Sequence, residues 1–343
     1  SLVGSEMCIR DRSSGESSLK FQKVWNLIGL EARNKVSGFF SKVAVVASRS
    51  SIIIKDSIVL VSKHLSSHGV SVYLDDPTAV LFPDLTTERL STEELGEMDL
   101  VVVVGGDGSI LGYGRTLSAD STPVVGVNRG GLGFLAAISP DQIEEKFAEI
   151  LAGGYLVEEH FLIQAEVVRA GETVACQTAL NDVVLDTGRS ARMLEFELWI
   201  DDAYVYNQKS DGLIIATPTG STAYSLSAGG PIMHPSLDAL VIVPMFPHTL
   251  TSRPLVVPSD KTLRVKLLES VDDEPQVSCD SQVHVPLESG DELIVQRLAA
   301  PLRLLYPREH NFYEACRSKL DWGSRLGDLS LIHISEPTRL HGL

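Results

Sequence analysis

The sequence predicts an α/β N-terminal domain with a parallel, Rossmann-like sheet, followed by a C-terminal β-rich domain that is β-sandwich-like. Three observations lead to this fold class. The chain has 343 residues, which suits two domains of roughly 100–200 residues each. In its first part, runs of β-branched residues alternate with helix-like segments, as in parallel sheets buried on both faces. Beyond residue 155, strand-like segments follow one another without regular helices.

The first domain is predicted over residues 39–154. Short apolar runs, one with four consecutive valines, predict strands at Lys42–Ala47, Val70–Leu74, Asp99–Val104 and Pro123–Val127. Segments with apolar residues at helical spacing, or with acidic and proline starts, predict helices at Asp56–His68, at Thr92–Glu94 and at Pro140–Ala152. Alternation of these two kinds of element predicts the parallel sheet.

The second domain is predicted over residues 155–327. Strand character is clearest in five segments: Phe161–Arg169, Arg192–Asp201, Thr262–Leu268, Gln276–Val285 and Glu292–Leu298. Gly, Asp and Pro separate them, which is typical of an antiparallel domain. One helical insertion is expected after Gly220.

Composition excludes several classes of partner. Asp and Glu number 45 against 29 Lys and Arg, so the net charge is −16, which argues against nucleic acid and anionic membranes. No uncharged apolar run is long enough to span a membrane. The four cysteines lie far apart, with no Cys-x-x-Cys pair, so neither disulfides nor a metal site is predicted. The cysteines are Cys8, Cys176, Cys279 and Cys316. Their pattern predicts a reducing, cytoplasmic location.

The sequences at the two ends of the chain indicate that they do not belong to the natural protein. A single DNA element read on opposite strands can encode both Leu2–Asp11 and Ser330–Thr338. It resembles a sequencing adaptor, so residues 1–12 and 328–343 are expected to be artefacts and are excluded from fold reasoning. Residues 13–38 are an extension of uncertain origin.

The first motif with chemical potential is Gly105–Ser109, GGDGS, directly after the valine strand. Glycines at the carboxyl end of a parallel strand let the backbone approach a ligand. Asp107 could accept a proton from a hydroxyl or arrange a metal–phosphate group. The alternative is an Asp-Gly turn without chemistry. Neither a Walker A loop nor Gly-x-Gly-x-x-Gly occurs here, which disfavours ordinary hydride transfer.

Two further motifs are ambiguous from sequence. Gly126–Phe134, GVNRGGLGF, must lie close either to a ligand phosphate or to another backbone segment. Asn181 and Asp182 stand side by side in an apolar strand, where they could bind ribose hydroxyls or an adenine edge. A β-bulge or a capped strand end is the alternative for this pair.

The longest motif is Lys209–Ser225, KSDGLIIATPTGSTAYS, which continues to Ala228–Pro231. A strand is expected to end at Ala216, and a hydroxyl-rich loop to open a helix near Ser221. Free N–H groups and the dipole at a helix N-terminus suit an anion or a ribose. Capping that helix would need one hydroxyl, whereas the loop supplies five.

Together these motifs and the later PMFPHTLTSRPLV resemble the bacterial NAD kinase family (ATP- or polyphosphate-dependent) over residues 39–327. GGDG is shared with lipid and sugar kinases, whereas TPTGSTAYSLSAGGP is specific. The resemblance implies transfer of the γ-phosphoryl group of ATP to the adenosine ribose 2′-hydroxyl of NAD, with Mg²⁺ carried on the triphosphate. It also implies a homo-oligomer, a dimer or tetramer.

The resemblance further implies site residues. Asp107 matches the general base, and Asn181 with Asp182 matches the pair that holds NAD, where Asp replaces the usual Glu. Ser281 replaces the usual Gly of a turn, which would strain the turn if it needs positive φ. The remaining matches to dinucleotide-contacting positions are Gly108, Arg192, Lys209, Asp211, Thr222, Ala223, Tyr224, Ser225, Leu226, Ser227 and Gln282.

Two alternatives of different class stay open at this point. A lipid or sugar kinase could use the same GGDG turn, with an apolar acceptor pocket or a basic face. A non-catalytic dinucleotide-binding protein would bind NAD without forming NADP. Turnover of ATP and NAD discriminates between all three.

Overall fold

The computed structural model describes residues 40–129, 133–188, 193–268 and 275–321. The predicted terminal segments 1–12, 13–38 and 328–343 lie outside these residues. In the described part no helix is both long and apolar enough to cross a membrane.

A seven-stranded sheet forms the first part of the fold. Its strands are β1 (Lys42–Val46), β2 (Ser71–Asp75), β3 (Glu88–Leu90), β4 (Leu100–Val104), β5 (Val124–Val127), β6 (Tyr155–His160) and β19 (Leu302–Pro307). They lie in the order β3-β2-β1-β4-β5-β19-β6, and neighbours are parallel except at the β19–β6 edge. This confirms the predicted parallel α/β domain. The sheet also contains β6 and β19, which lie beyond residue 154. The domain boundary at residues 154 and 155 remains a prediction.

Helices cover both faces of this sheet because its strands are apolar on both sides. One face packs against α1 (Ile52–Ser67) and α4 (Ile143–Leu151). The other packs against α3 (Asp107–Leu117) through Ile110 and Leu117. A short helix, α2 (Asp76–Leu81), lies between β2 and β3.

The first helix begins earlier than predicted. The sequence placed its start at Asp56, whereas α1 begins at Ile52. The side chain of Ser51 accepts a hydrogen bond from the backbone N–H of Ile54 and so caps the helix. This cap stabilises a helix start at Ile52, although the β-branched residues of the first turn have a lower helix propensity and two of them are exposed.

Two six-stranded antiparallel sheets form the second part. The strands are β7 (Ile163–Arg169), β8 (Glu172–Ala179), β9 (Asp182–Asp186), β10 (Leu194–Ile200), β11 (Ala203–Ser210), β12 (Gly212–Ala216), β13 (Ala239–Met245), β14 (Leu255–Pro258), β15 (Leu263–Leu267), β16 (Gln276–Cys279), β17 (Val283–Pro286) and β18 (Glu292–Arg297). The first sheet has the order β11-β10-β15-β18-β7-β8, and the second β14-β13-β12-β9-β16-β17.

The two antiparallel sheets share one apolar core. Alternate residues of β10, among them Phe196 and Leu198, pack with Leu213 and Ile215 of β12. Side chains at every second position of a strand point to one face, so each sheet contributes one apolar face to this core. The predicted β-sandwich-like domain is confirmed. Two short helices complete the described chain: α5 (Tyr224–Ser227) and α6 (Phe312–Leu320).

One predicted strand is in fact a hairpin. Gln276–Val285 was expected to be continuous, but β16 and β17 are joined by a turn at residues 280–282, in which the φ angles of Asp280 and Ser281 are 52° and 55°. The backbone N–H of Gln282 donates to the carbonyl of Cys279 at 3.0 Å. Positive φ at both central residues is the geometry of a type I′ turn, which favours Gly at the second position.

We therefore expect Ser281→Gly to stabilise the protein. Left-handed backbone costs a non-glycine residue about 1–2 kcal/mol, and the entropy of Gly offsets part of that, so a gain of about 0.5–1 kcal/mol is expected. Urea unfolding measures it. Ser289→Gly, in another turn, is the comparison variant. An unchanged midpoint for Ser281→Gly would show that the turn carries no strain.

Candidate active site

A cavity of about 560 Å³ opens at the carboxyl ends of strands β1, β2, β4 and β5. Open α/β sheets bind ligands at this edge. The exposed residues Arg49 and Arg129 line it, as does the first turn of α3. The lining residues are Ser48, Arg49, Ile54, Asp75, Pro77, Thr92, Gly105, Gly106, Asp107, Gly108, Ser109, Gly112, Tyr113, Thr116, Arg129 and Gln282.

Asp107 is the first residue of α3 and lies at this cavity, partly exposed. Its carboxylate accepts backbone N–H bonds from Phe134 at 2.9 Å, Leu135 at 3.2 Å and Ala136 at 3.0 Å. A carboxylate offers about four acceptor positions. Three are occupied, so the group has a fixed orientation and keeps about one position for a further donor.

The glycine-rich segment after β5 is explained in part by close packing. A Cβ atom on Gly126 would lie 2.8 Å from the Cα of Ala136, and one on Gly133 would lie 2.2 Å from Oδ1 of Asp107. Of the two interpretations left open by the sequence, close backbone approach accounts for Gly126. Gly133 is needed so that the loop can reach the Asp107 carboxylate. Residues 130–132 of the motif lie outside the described residues.

Asn181 and Asp182 lie at the beginning of β9. Asp182 pairs regularly with Ala216 of β12, so no bulge interrupts the ladder here. The side chain of Asp182 is buried, with 2% exposed, and its Oδ1 has no hydrogen-bond partner among the described residues. Burial, and next the charge of Asp280, raise the pKa of Asp182 to about 7. An unsatisfied buried carboxylate is costly, which is typical of a functional position.

The loop after β12 packs directly on Asn181. Thr217 donates its backbone N–H to the carbonyl of Asn181 at 2.9 Å and its hydroxyl to the carbonyl of Leu180 at 2.6 Å. A Cβ on Gly220 would lie 2.1 Å from the carbonyl oxygen of Asn181. The polar pair and the hydroxyl-rich loop, which are separate motifs in the sequence, therefore form one surface.

Several of the five hydroxyls predicted to be available in this loop bond within the protein instead. Ser221 donates to the carbonyl of Pro218 at 2.6 Å and accepts the N–H of Met233 at 2.9 Å. Thr219 bonds the ring of His160 at 2.8 Å. The predicted helix is a single turn, so its dipole is small.

The other predicted residues of this segment differ in accessibility. Tyr224 and Ser227 are exposed, whereas Thr222, Ala223 and Leu226 are partly buried. Ser225 is fully buried, and its hydroxyl has no hydrogen-bond partner among the described residues.

Comparison with known proteins agrees with this geometry. A family model of the ATP-NAD kinase N-terminal domain matches residues 45–155, and one of the ATP-NAD kinase C-terminal domain matches residues 180–305. The NAD kinases of Pseudomonas fluorescens (strain SBW25) and Pseudomonas entomophila (strain L48) are each 51% identical over 289 residues, which cover 84% of this chain and 98% of theirs. The chain belongs to the NAD kinase family.

Two solved structures have a similar fold. Yeast NADH kinase complexed with NADH has a TM-score of 0.76 at 24% identity, covering 84% of this chain and 90% of that one. An NAD kinase from Archaeoglobus fulgidus in complex with ATP has a TM-score of 0.65 at 26% identity, and the match covers 81% of this chain and 99% of that one.

Some predicted residues lie elsewhere in this NAD kinase family fold. Lys209 and Asp211 precede β12, whereas Asn181 and the Thr217 loop lie at its other end, roughly 15 Å away at the usual rise per residue. Lys209 is exposed and pairs with Glu195 at 2.9 Å. Arg192 lies outside the described residues.

Gln282 lies against the Asp107 helix. It lines the cavity, and its Nε2 donates to the carbonyl of Gly108 at 2.8 Å. Its Oε1 accepts from Arg115 at 2.7 Å. Arg115 was not predicted as a site residue, since no spacing connects a helix residue with a turn more than 160 positions later.

His160 is a second residue that was not predicted. It ends β6, is 2% exposed, and connects the first sheet to the Thr219 loop through its Nδ1. Its Nε2 lies 3.7 Å from Oε2 of Glu158. No local pattern distinguishes a lone histidine at a strand end from an ordinary core residue.

Proposed function

We propose that this chain transfers the γ-phosphoryl group of ATP to the 2′-hydroxyl of the adenosine ribose of NAD, forming NADP and ADP. One observation carries the proposal beyond family membership: the β16–β17 turn contacts both the first turn of α3, where Asp107 lines the cavity, and the backbone of Asn181 and Asp182. Gln282 of this turn donates to the carbonyl of Gly108, and Asp280 accepts the N–H groups of Asn181 and Asp182.

Asp107 is the proposed general base. Its carboxylate accepts the proton of the 2′-hydroxyl while that oxygen bonds to the γ-phosphorus, and the bond to the bridging oxygen of ADP breaks. Phosphoryl transfer depends mainly on positioning and charge neutralisation. The three N–H groups that orient Asp107 supply the positioning.

The cavity is the proposed donor site. Arg49 and Arg129 supply positive charge, and backbone N–H groups of the first turn of α3 can meet phosphate oxygens. Mg²⁺ on the triphosphate would neutralise further charge. Among the described residues no three His, Cys, Asp or Glu side chains converge as a metal site, so the ion is proposed to arrive with ATP.

A coupled assay of the purified chain tests the proposal. We expect NADP to form from NAD and ATP with Mg²⁺, and no product from diacylglycerol or fructose 6-phosphate. Tight NAD binding without NADP formation would favour the non-catalytic alternative, and phosphorylation of a lipid or sugar would favour the other. Cytoplasmic location is proposed too, supported by free thiols at Cys176, Cys279 and Cys316.

Asn181→Ala is expected to raise the KM for NAD by roughly 5- to 150-fold, because a lost polar partner costs about 1–3 kcal/mol. The KM for ATP should change far less, since Asn181 does not line the donor cavity. Asn207→Ala, on the exposed part of β11, is the matched control. Unchanged NAD kinetics together with a lower Tm would indicate a purely structural role.

We also propose a homo-oligomer. β14 is an edge strand with Leu255 and Val256 exposed, and Phe246 and Leu250 beside it are 82% and 93% exposed. Exposed apolar residues along a sheet edge favour association. If Lys209 and Asp211 contact NAD, a second copy of the chain has to present them, since they lie far from Asn181 within one copy.

Disrupting this edge is expected to separate the copies. Phe246→Ser with Leu250→Ser should shift the mass measured by light scattering to that of one chain. If Lys209 and Asp211 act across the interface, the KM for NAD should rise together with dissociation. Leu237→Ser, at another exposed apolar position, is the control. An unchanged mass for the double variant would place the interface elsewhere.

A further inference from the structure

Arg115 connects the helix of Asp107 to the opposite sheet. It lies two turns after Asp107 on α3, and its side chain is 15% exposed. Nη1 donates to Oδ2 of Asp280 at 2.7 Å, and Nη2 donates to Oε1 of Gln282 at 2.7 Å. A planar guanidinium that bonds two acceptors in this way fixes their relative direction.

Asp280 extends this connection to the strand of the proposed NAD-binding pair. Its side chain is fully buried. Oδ2 also accepts the N–H of Leu180 at 3.1 Å, and Oδ1 accepts the N–H of Asn181 at 2.7 Å and of Asp182 at 3.3 Å. One carboxylate therefore holds the backbone at the beginning of β9 and the guanidinium on α3.

Gln282 closes a ring of bonds. Its Nε2 donates to the carbonyl of Gly108, next to Asp107, while its Oε1 accepts from Arg115. Both ends of α3 are thus tied to the β16–β17 turn, and that turn is tied to β9.

We infer that the Arg115–Asp280 ion pair is a positioning clamp that sets the distance between Asp107 and the Asn181–Asp182 strand end. This inference rests on the proposed function and adds two positioning residues to it. Neither side chain needs to touch substrate. Displacement of reacting groups by about 1 Å can cost on the order of 10²-fold in rate.

Apolar packing gives α3 a separate source of stability. Ile110 and Leu117 are buried in the core beneath the first sheet. Removal of one partner of a buried ion pair leaves an unpaired buried charge and is destabilising. Loss of Arg115 is therefore expected to lower the Tm as well as to change alignment, so the test needs a control variant that loses a comparable pair.

The test compares Arg115→Met with Arg169→Met. Arg169 forms a second pair with a buried carboxylate, donating to Asp291 at 2.9 and 2.8 Å, away from the cavity. We expect Arg115→Met to lower kcat/KM for NADP formation by about 10- to 100-fold, and Arg169→Met to stay within about twofold. Arg115→Lys, which keeps the charge, should recover part of the loss.

Hydrogen exchange gives a readout that does not need turnover. In Arg115→Met the amides of Leu180, Asn181 and Asp182 should exchange at least about tenfold faster, with no such change in Arg169→Met. Equal kinetic losses in both methionine variants, or unchanged exchange at these amides, would overturn the clamp. If Arg115→Met fails to fold, the lysine variant decides on the same two readouts. If the wild-type chain forms no NADP, the proposed function fails, and exchange still decides whether the clamp exists.

Discussion

Asp107→Asn is expected to lower kcat by about 10²–10⁴, the usual contribution of a general base. The affinity for NAD should stay within a few-fold, because the change keeps the shape of the side chain. Asparagine retains one oxygen for the N–H groups of Leu135 and Ala136, which share Oδ1 in the wild type. It cannot accept a proton from the ribose hydroxyl. Steady-state kinetics with both substrates measures the effect.

Loss of the third N–H bond has a separate effect on stability. The amide group introduced in Asp107→Asn would face the N–H of Phe134, which in the wild type donates to Oδ2, and an unmade bond there costs about 1–3 kcal/mol. Asp291→Asn is a matched control, since both oxygens of Asp291 accept hydrogen bonds, Oδ1 from Arg169 and Oδ2 from Arg169 and from the N–H of Glu288 at 2.8 Å. If both variants lose a similar amount of Tm but only Asp107→Asn has impaired kinetics, the result would support Asp107 as the general base. Near wild-type turnover of Asp107→Asn would refute it.

Asp182→Asn is expected to stabilise the protein above neutral pH while weakening NAD binding. The pKa of Asp182 is raised to about 7 by burial and by the charge of Asp280, against 3.8 ordinarily. The folded state then holds this proton more tightly than the unfolded chain does. The contribution of Asp182 to the free energy of unfolding is therefore highest below pH 4 and decreases as the pH rises toward 7.

Asparagine removes this pH dependence. The difference between the ordinary and the raised pKa corresponds to about 4 kcal/mol, so a gain of roughly 2–4 kcal/mol is expected at about pH 8 and little at about pH 4. Urea unfolding at both pH values measures it, with Asp260→Asn on an exposed turn as the control. A stability change that is the same at both pH values would show that Asp182 is not the titrating group.

The same variant should bind NAD less well. The Oδ1 atom of Asp182 is buried and has no partner among the described residues, so a ligand hydroxyl reaches it only if the beginning of β9 opens on binding, and a neutral amide accepts such a bond less strongly than a carboxylate. Asp182→Glu introduces the glutamate that is usual in the NAD kinase family. It should weaken NAD binding less than Asp182→Ala does. Greater stability with weaker binding is the trade-off expected of a functional site.

The alternating pattern of the chain was sufficient for its architecture. The valine run of β4 predicted a strand buried on both faces, and its residues pack alternately into the cores above and below the sheet. Such patterns are local, because burial of a strand or helix face depends on residue spacing within one element. The Asp107 turn was predicted for the same reason, since glycines at a strand end mark close approach.

Contacts between distant segments could not be predicted in this way. Arg115 and Asp280 are 165 positions apart, and His160 and Thr219 are 59 apart. The hydroxyls of Thr217 and Ser221 looked available to a ligand but bond carbonyl groups of the protein. A hydrogen bond needs its partner within about 3 Å, and sequence spacing does not determine which distant groups meet.

Local patterns in the chain were enough to predict the two kinds of domain, the glycine turn that bears Asp107, and the polar pair at Asn181 and Asp182. How these features are joined depends on the folded chain: the N–H groups that orient Asp107, the burial that raises the pKa of Asp182, and the ion pair between α3 and the β16–β17 turn. The physical reason is that burial and hydrogen bonding in the site depend on chain segments that only folding brings together.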